Sequence, residues 1–199
     1  MNAPSGGGVA TTEEMVEALR REPRAVAEAR RKPSEGGVPE APGLYAWWMT
    51  PGAIPKVHGP KHPTEDLELL YVGIAPRDER SKATLRSRIR RQHLGGTIGS
   101  STFRRSLAAL LLDAEEWSTR WSGTRTQLPP EDNRRLSEWQ EARLRLAWME
   151  HSRPWTAERP VIAVMRPHSP RGQLLPRAAR AANGASEEAS SRLRPRPRG

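Results

Sequence analysis

The sequence predicts an α+β domain: a small three-stranded antiparallel sheet flanked by helices, followed by a disordered basic C-terminal tail. Three observations predict it. Two short runs rich in aromatic and β-branched residues each stop at a proline, Gly43-Leu-Tyr-Ala-Trp-Trp48 before Pro51 and Leu67 to Ala75 before Pro76. A third run, Leu144 to Met149, alternates as a strand does. Amphipathic patterns of helical period lie before, between and after these runs.

In chain order, Thr11 followed three residues later by Glu14, with Met15, Val16 and Leu19 on one face, predicts a short capped helix. Pro23 and Pro33 limit any further helix, and the stretch from Lys32 to Pro42, rich in Pro, Gly and Glu, reads as a linker. Residues 1–41 are therefore expected to precede a domain at 42–167. The first two strands are expected to pair antiparallel. The loop between them, Met49 to Asp66, is too long for a tight hairpin, and its His58 and His62 read as solvated.

Lys82 to His93 predicts a helix with a basic face, Arg86, Arg88, Arg90 and Arg91 around Leu85 and Ile89. Gly95, Gly96 and Gly99 break it. Ser100 or Ser101 caps a second helix that buries Phe103, Leu107, Leu110 and Leu111. Pro129 and Pro130 open a third through about Glu141. After the third strand, Pro154 leads into a helical stretch ending near Pro167. From His168 onward no periodic apolar pattern remains, and residues 168–199 read as a low-complexity basic tail.

At 199 residues, with 35% hydrophobic and 28% charged side chains, the chain suits one core. No run approaches the ~20 consecutive apolar residues that cross a bilayer, and the start does not read as a signal peptide. The absence of cysteine removes disulfides, thiolate zinc sites and thiol nucleophiles together, and fits a cytoplasmic protein. A net charge of +10 points to a polyanionic partner such as nucleic acid. Seven arginines against two glutamates between Arg171 and Gly199 carry half of it. With one Phe and two Tyr in the chain, most of the seven tryptophans are expected in the core, although Trp48 or Trp121 could stack on a splayed base.

Both tyrosines of the chain, Tyr45 and Tyr71, sit near the middle of a predicted strand beside glycine, in Gly43-Leu44-Tyr45 and Tyr71-Val72-Gly73. With these paired tripeptides the sequence resembles the GIY-YIG nuclease family. The resemblance continues in order over about Pro42 to Pro167. It takes in an arginine helix with Arg88 and then His93, and the run Gly99 to Arg104, which is most like an actinobacterial-type branch. Glu158-Arg-Pro-Val-Ile162 followed by Pro167 completes it.

The resemblance implies a metal-dependent endonuclease that hydrolyses DNA phosphodiester bonds. Tyr45 matches the family's general base, and Tyr71 the tyrosine that places the water or the phosphate. Arg88, His93 and Glu158 complete the implied site, with Glu158 as the protein ligand of Mg²⁺ or Mn²⁺. Arg86, Arg90, Arg91 and Arg104 are then the expected nucleic-acid contacts. Relatives usually continue into a Pro-Leu-Asn segment whose Asn supports the site. Here Pro167 is followed by His168, Ser169 and Pro170, which implies weakened catalysis. The alternative is a domain of the same fold that binds nucleic acid without cleaving it.

Phosphodiester hydrolysis needs a base for the attacking water, positive charge for the crowded phosphate, and a cation or acid at the leaving oxygen. A phenol beside metal and arginine can have its pKa lowered toward useful base strength. Arg88 offers a planar donor fork, and magnesium is commonly held by one carboxylate with waters and phosphate oxygens. His93 lies five residues beyond Arg88, about 140° around an α-helix, so the two share a face only if the helix bends or ends there. Plainer readings stand beside each: strand tyrosines usually pack, arginine runs usually solvate a helix face, and Glu158 suits a first helical turn. Glu138, Glu141 and Glu150 are the other carboxylates that could serve a metal.

Overall fold

A computed structural model describes residues 10–122 and 125–166. The expected tail, and with it the position where relatives carry the Pro-Leu-Asn asparagine, lies outside the described residues.

Thr11 caps α1 (Thr12–Arg20) as its spacing predicts: the Glu14 N–H donates to the Thr11 hydroxyl and the Thr11 N–H to the Glu14 carboxylate. After Pro23 the chain makes a two-residue strand, β1 (Arg24–Ala25), and a single turn, α2 (Val26–Ala29). Two longer strands come next, β2 (Gly43–Met49) and β3 (Glu68–Ala75). Further on, α3 (Thr102–Leu111) precedes a small ribbon of β4 (Arg120–Ser122) and β5 (Arg125–Gln127). The last elements are α4 (Pro130–Arg143), β6 (Leu144–Glu150) and α5 (Pro154–Met165).

The main sheet is antiparallel with strand order β1-β6-β2-β3. It therefore has four strands where the sequence pattern shows three. The addition is β1, which joins β6 through Arg24 opposite Leu146 and Ala25 opposite Arg145. Two residues cannot display an alternation, which is why this strand is silent in the sequence.

Two apolar layers cover the sheet. On one face, Leu44, Ala46 and Trp48 of β2 pack with Met15, Val16 and Leu19 of α1 and with Ala157 and Val161 of α5. On the other, Tyr45, Trp47 and Met49 meet Phe103, Leu107 and Leu111 of α3 and Leu136 and Trp139 of α4. Strand alternation in β2 is what separates the two sets. The segment with linker composition packs into the domain. Val38 is buried, and the carbonyls of Pro39 and Ala41 accept from the N–H groups of Arg86 and Leu85.

Trp48 is 1% exposed and donates its indole N–H to the Leu19 carbonyl, so it cannot stack on a base as the sequence allowed. His62, expected to be solvated, is buried instead. It contacts the Arg20 carbonyl through Nε2 and accepts the Thr64 and Glu65 N–H groups at Nδ1, which ties the long loop to the end of α1. No helix among the described residues is long and apolar enough to cross a membrane.

Candidate active site

Tyr45 stands on β2 directly opposite Gly73 of β3, and Tyr71 stands opposite Trp47. The two tyrosines thus lie diagonally on one sheet face, with ring centroids 6.0 Å apart. A β-bulge between Trp47 and Trp48 shifts the register of β3, so that Leu70 and Tyr71 both turn toward this face. Gly73 is the residue that lets the phenols lie over the strand. A Cβ there would sit 2.6 Å from Tyr45 Cζ, 2.6 Å from its hydroxyl and 2.6 Å from Tyr71 Cε1.

The arginine helix is wound more widely than its sequence implies. Thr84 and Ser87 cap its start reciprocally, and Ser87–Leu94 forms a π-helix that ends with the Gly95 N–H on the Arg90 carbonyl, five residues back. Hydrogen bonds of that span bring residues i and i+5 round to nearly the same face. Arg88 and His93, separated on an α-helix, here both line one cavity. No apolar periodicity announces this, because Ile89, His93 and Leu94 bury an irregular pattern.

The cavity has a volume of about 230 Å³. Tyr45, Tyr71, Arg88, His93 and Glu158, drawn from β2, β3, the π-helix and α5, all line it. Sequence reasoning missed Ile74, Arg77, Gln92, Ser100, Thr102 and Phe103, which complete the wall. Ser100, Thr102 and Phe103 sit at the start of α3, whose unpaired N–H groups and dipole favour an anion. Arg77 is exposed at the rim, with Nε 3.1 Å from Asp78.

Inside, the Tyr45 hydroxyl is 2.8 Å from His93 Nε2, and His93 Nδ1 is 2.9 Å from Ser101 Oγ. Burial, with Arg88 and Arg104 nearby, lowers the His93 pKa from 6.5 to about 3, so its ring is neutral at physiological pH. Burial also pushes the Tyr45 hydroxyl well above its ordinary value. Tyr71 and Glu158 push the same way, and Arg88 opposes them. Tyr71 is raised chiefly by burial. The Glu158 carboxyl is raised by desolvation, with Arg159 opposing, and among the described residues it has no hydrogen bond or ion pair. Arg88 donates Nη1–H to Gln92 Oε1 at 2.7 Å, which holds its guanidinium at the cavity wall.

The basic residues divide. Arg104, expected at the nucleic acid, is fully buried and cannot reach a phosphate. Its guanidinium donates to Gln140 Oε1 at 2.6 Å, to the Asn133 carbonyl at 2.9 Å and to Ser137 Oγ at 3.1 Å, joining α3 to α4. Arg104 and its neighbour Arg105 are alike in sequence, so the sequence could not separate the inward one. Arg86 turns to Glu40 and the Val38 carbonyl, Arg90 to the Arg31 carbonyl, and Arg91 is exposed; none of the three lines the cavity. The other carboxylates lie elsewhere: Glu138 pairs with Arg134, Glu141 with Arg30, and Glu150 ends β6.

Among the described residues no group of three or more His, Asp or Glu could enclose a metal by itself. The donor chemistry nevertheless suits magnesium. One desolvated carboxylate without a partner, beside an arginine-lined cavity open to substrate oxygens, is how that ion is commonly held.

No curated protein and no solved structure matches the chain. A sequence model of the GIY-YIG catalytic domain matches residues 43–168, well over half of its length, from the first tyrosine strand to just past α5. The sheet that carries the paired tyrosines, the arginine helix and the glutamate helix all fall within that span, and the chain belongs to the GIY-YIG nuclease family.

Proposed function

We propose that this protein is a metal-dependent endonuclease that hydrolyses DNA phosphodiester bonds at the cavity between β2, β3, the π-helix and α5. One observation carries the reading. Two phenols, an arginine, a neutral histidine and an unpartnered carboxylate, contributed by four elements distant in sequence, line one cavity of about 230 Å³.

In this reading Tyr45 takes the proton of the attacking water and Tyr71 helps to place that water against phosphorus. Arg88 donates to the non-bridging phosphate oxygens. The water oxygen bonds to phosphorus as the bond to the leaving deoxyribose oxygen breaks, and that oxygen takes a proton from solvent water. Glu158 would hold Mg²⁺ or Mn²⁺, which when bound supplies positive charge to the phosphate and the leaving oxygen.

Tyr45 carries its proton in the free protein, because burial and the Glu158 charge both oppose the phenolate. Neutralising Glu158 removes one of those oppositions, and Arg88 already favours the phenolate. The missing Pro-Leu-Asn asparagine argues for a slow enzyme.

Glu158→Ala tests the assignment. It should abolish nicking of plasmid DNA while leaving salt-dependent DNA binding largely intact, since it removes a metal anchor and no phosphate contact. Equal nicking by variant and parent would remove Glu158 from the site.

A further inference from the structure

Ser101 is fully buried and stands outside the set of residues assigned so far. Its hydroxyl oxygen caps α3 by accepting the Arg104 N–H at 3.2 Å. Its other polar neighbour among the described residues is His93 Nδ1, at 2.9 Å. A backbone N–H can only donate, so the Ser101 oxygen spends a lone pair on Arg104. The hydroxyl proton of Ser101 then needs an acceptor, and a buried donor left without one is costly. His93 Nδ1 is the acceptor in reach.

We infer that Ser101 fixes the tautomer of His93, keeping Nδ1 bare and Nε2 protonated, so that His93 donates to the Tyr45 oxygen across their 2.8 Å contact. In the opposite tautomer Nδ1–H would donate to a serine oxygen already engaged by Arg104, and the serine proton would have no partner. The Tyr45 hydroxyl would also spend its proton on His93 and lose it for Tyr71.

The consequence for chemistry is specific. A donating Nε2–H stabilises negative charge on the Tyr45 oxygen and leaves the phenolic proton for Tyr71, with which Tyr45 shares a hydrogen bond. His93 is then a hydrogen-bond donor to the base, and it takes no proton from Tyr45. The two guanidinium groups of Arg88 and Arg104 near the ring act in the same direction, since both disfavour an imidazolium. Ser101 is a positioning residue acting through His93. This catalytic consequence rests on Tyr45 being the base, whereas the tautomer stands by itself.

The test reads the ring directly. Long-range ¹H–¹⁵N correlation spectra of protein labelled at its five histidines give separate signals for the two nitrogens, and His93→Gln identifies the His93 set. The parent should show Nε2 protonated and Nδ1 bare. A parent with Nδ1 protonated, or with averaged nitrogens, overturns the inference. Ser101→Thr keeps hydroxyl and cap and should keep the tautomer. Ser101→Asp keeps the cap but can only accept, and should move the proton to Nδ1.

Ser101→Ala should let the tautomers mix; a pure Nε2–H form in that variant would show that Ser101 does not set it. In cleavage, Ser101→Ala should lower kcat roughly 10- to 100-fold, the size of effect seen when a metal-bound imidazole loses the group that orients it, with KM unchanged and Ser101→Thr restoring the rate. A rise in KM alone, or no rescue by threonine, would show a merely structural role. An inactive parent with the expected tautomer would sink the nuclease reading and leave this one standing.

Discussion

Gly73→Ala adds one methyl group at the point where both phenols cross β3. The three atoms it would meet at 2.6 Å, Tyr45 Cζ and hydroxyl oxygen and Tyr71 Cε1, belong to buried or half-buried tyrosines and cannot swing aside as the end of a long chain does. Overpacking of this kind costs about 1–3 kcal/mol, and rigid rings on two sides place it toward the upper end. Replacing glycine inside a strand returns about 0.5–1 kcal/mol of backbone entropy. A net loss of about 2 kcal/mol remains, which for a chain of this size lowers Tm by roughly 4–8 °C. Because Tyr45 must move off its 2.8 Å contact with His93, cleavage should fall by about 100-fold, the usual effect of an ångström of misplacement at a reacting group. Thermal denaturation and plasmid nicking read the two effects separately. A variant that melts within about one degree of the parent, with parental nicking, would refute the packing argument and the place of Tyr45 with it.

Four other perturbations probe the same geometry. Glu158→Gln should lose cleavage yet melt slightly higher than the parent at neutral pH. The raised carboxyl pKa means that ionised Glu158 opposes folding, and stability falls as pH rises through that pKa; a lower melting temperature would contradict this. His93 has the opposite sign. Its pKa drops from 6.5 to about 3 on folding, so stability is lost as pH falls below 6.5, with a ceiling of about 5 kcal/mol, and His93→Gln should flatten that acid limb in denaturant titrations. Arg104→Ala strips partners from Gln140, Asn133 and Ser137 and should cost at least about 3 kcal/mol in urea melts; parental stability would show that the buried guanidinium is dispensable. A chain ending at Pro167 lacks seven arginines and should bind DNA with a shallower dependence of affinity on salt; an unchanged slope would remove those arginines from the contact.

The runs around Tyr45 and Tyr71 were legible because a strand covered on both faces is apolar and aromatic almost throughout, the run around Leu146 because it alternates, and the Thr11 cap because its chemistry is local. The candidate site was legible only in part. Tyr45 and Tyr71 flag themselves through their glycine neighbours, and Glu158 through the family's order of motifs. Arg88 and His93 looked incompatible on an α-helix, since a backbone wound to i+5 hydrogen bonds buries Ile89, His93 and Leu94 at spacings that match no helical period. Arg104 was misread for a related reason. Arginines at 104 and 105 are alike in sequence, and only the approach of Asn133, Ser137 and Gln140 from α4 makes one of them interior. Ser101 was visible as a cap, while its second bond, to a histidine eight residues earlier, depends on how the π-helix ends.

In the proposed reaction the tyrosine cavity hydrolyses phosphodiester bonds with the help of a divalent cation. The decisive assay incubates purified protein with supercoiled plasmid and Mg²⁺ or Mn²⁺ at several pH values between roughly 6 and 9, with Tyr45→Phe and chelated samples alongside. Nicked circles from the parent with metal, and intact plasmid both from Tyr45→Phe and after chelation, are predicted. Plasmid left intact by the parent under every condition, or nicked equally by Tyr45→Phe, would contradict the account.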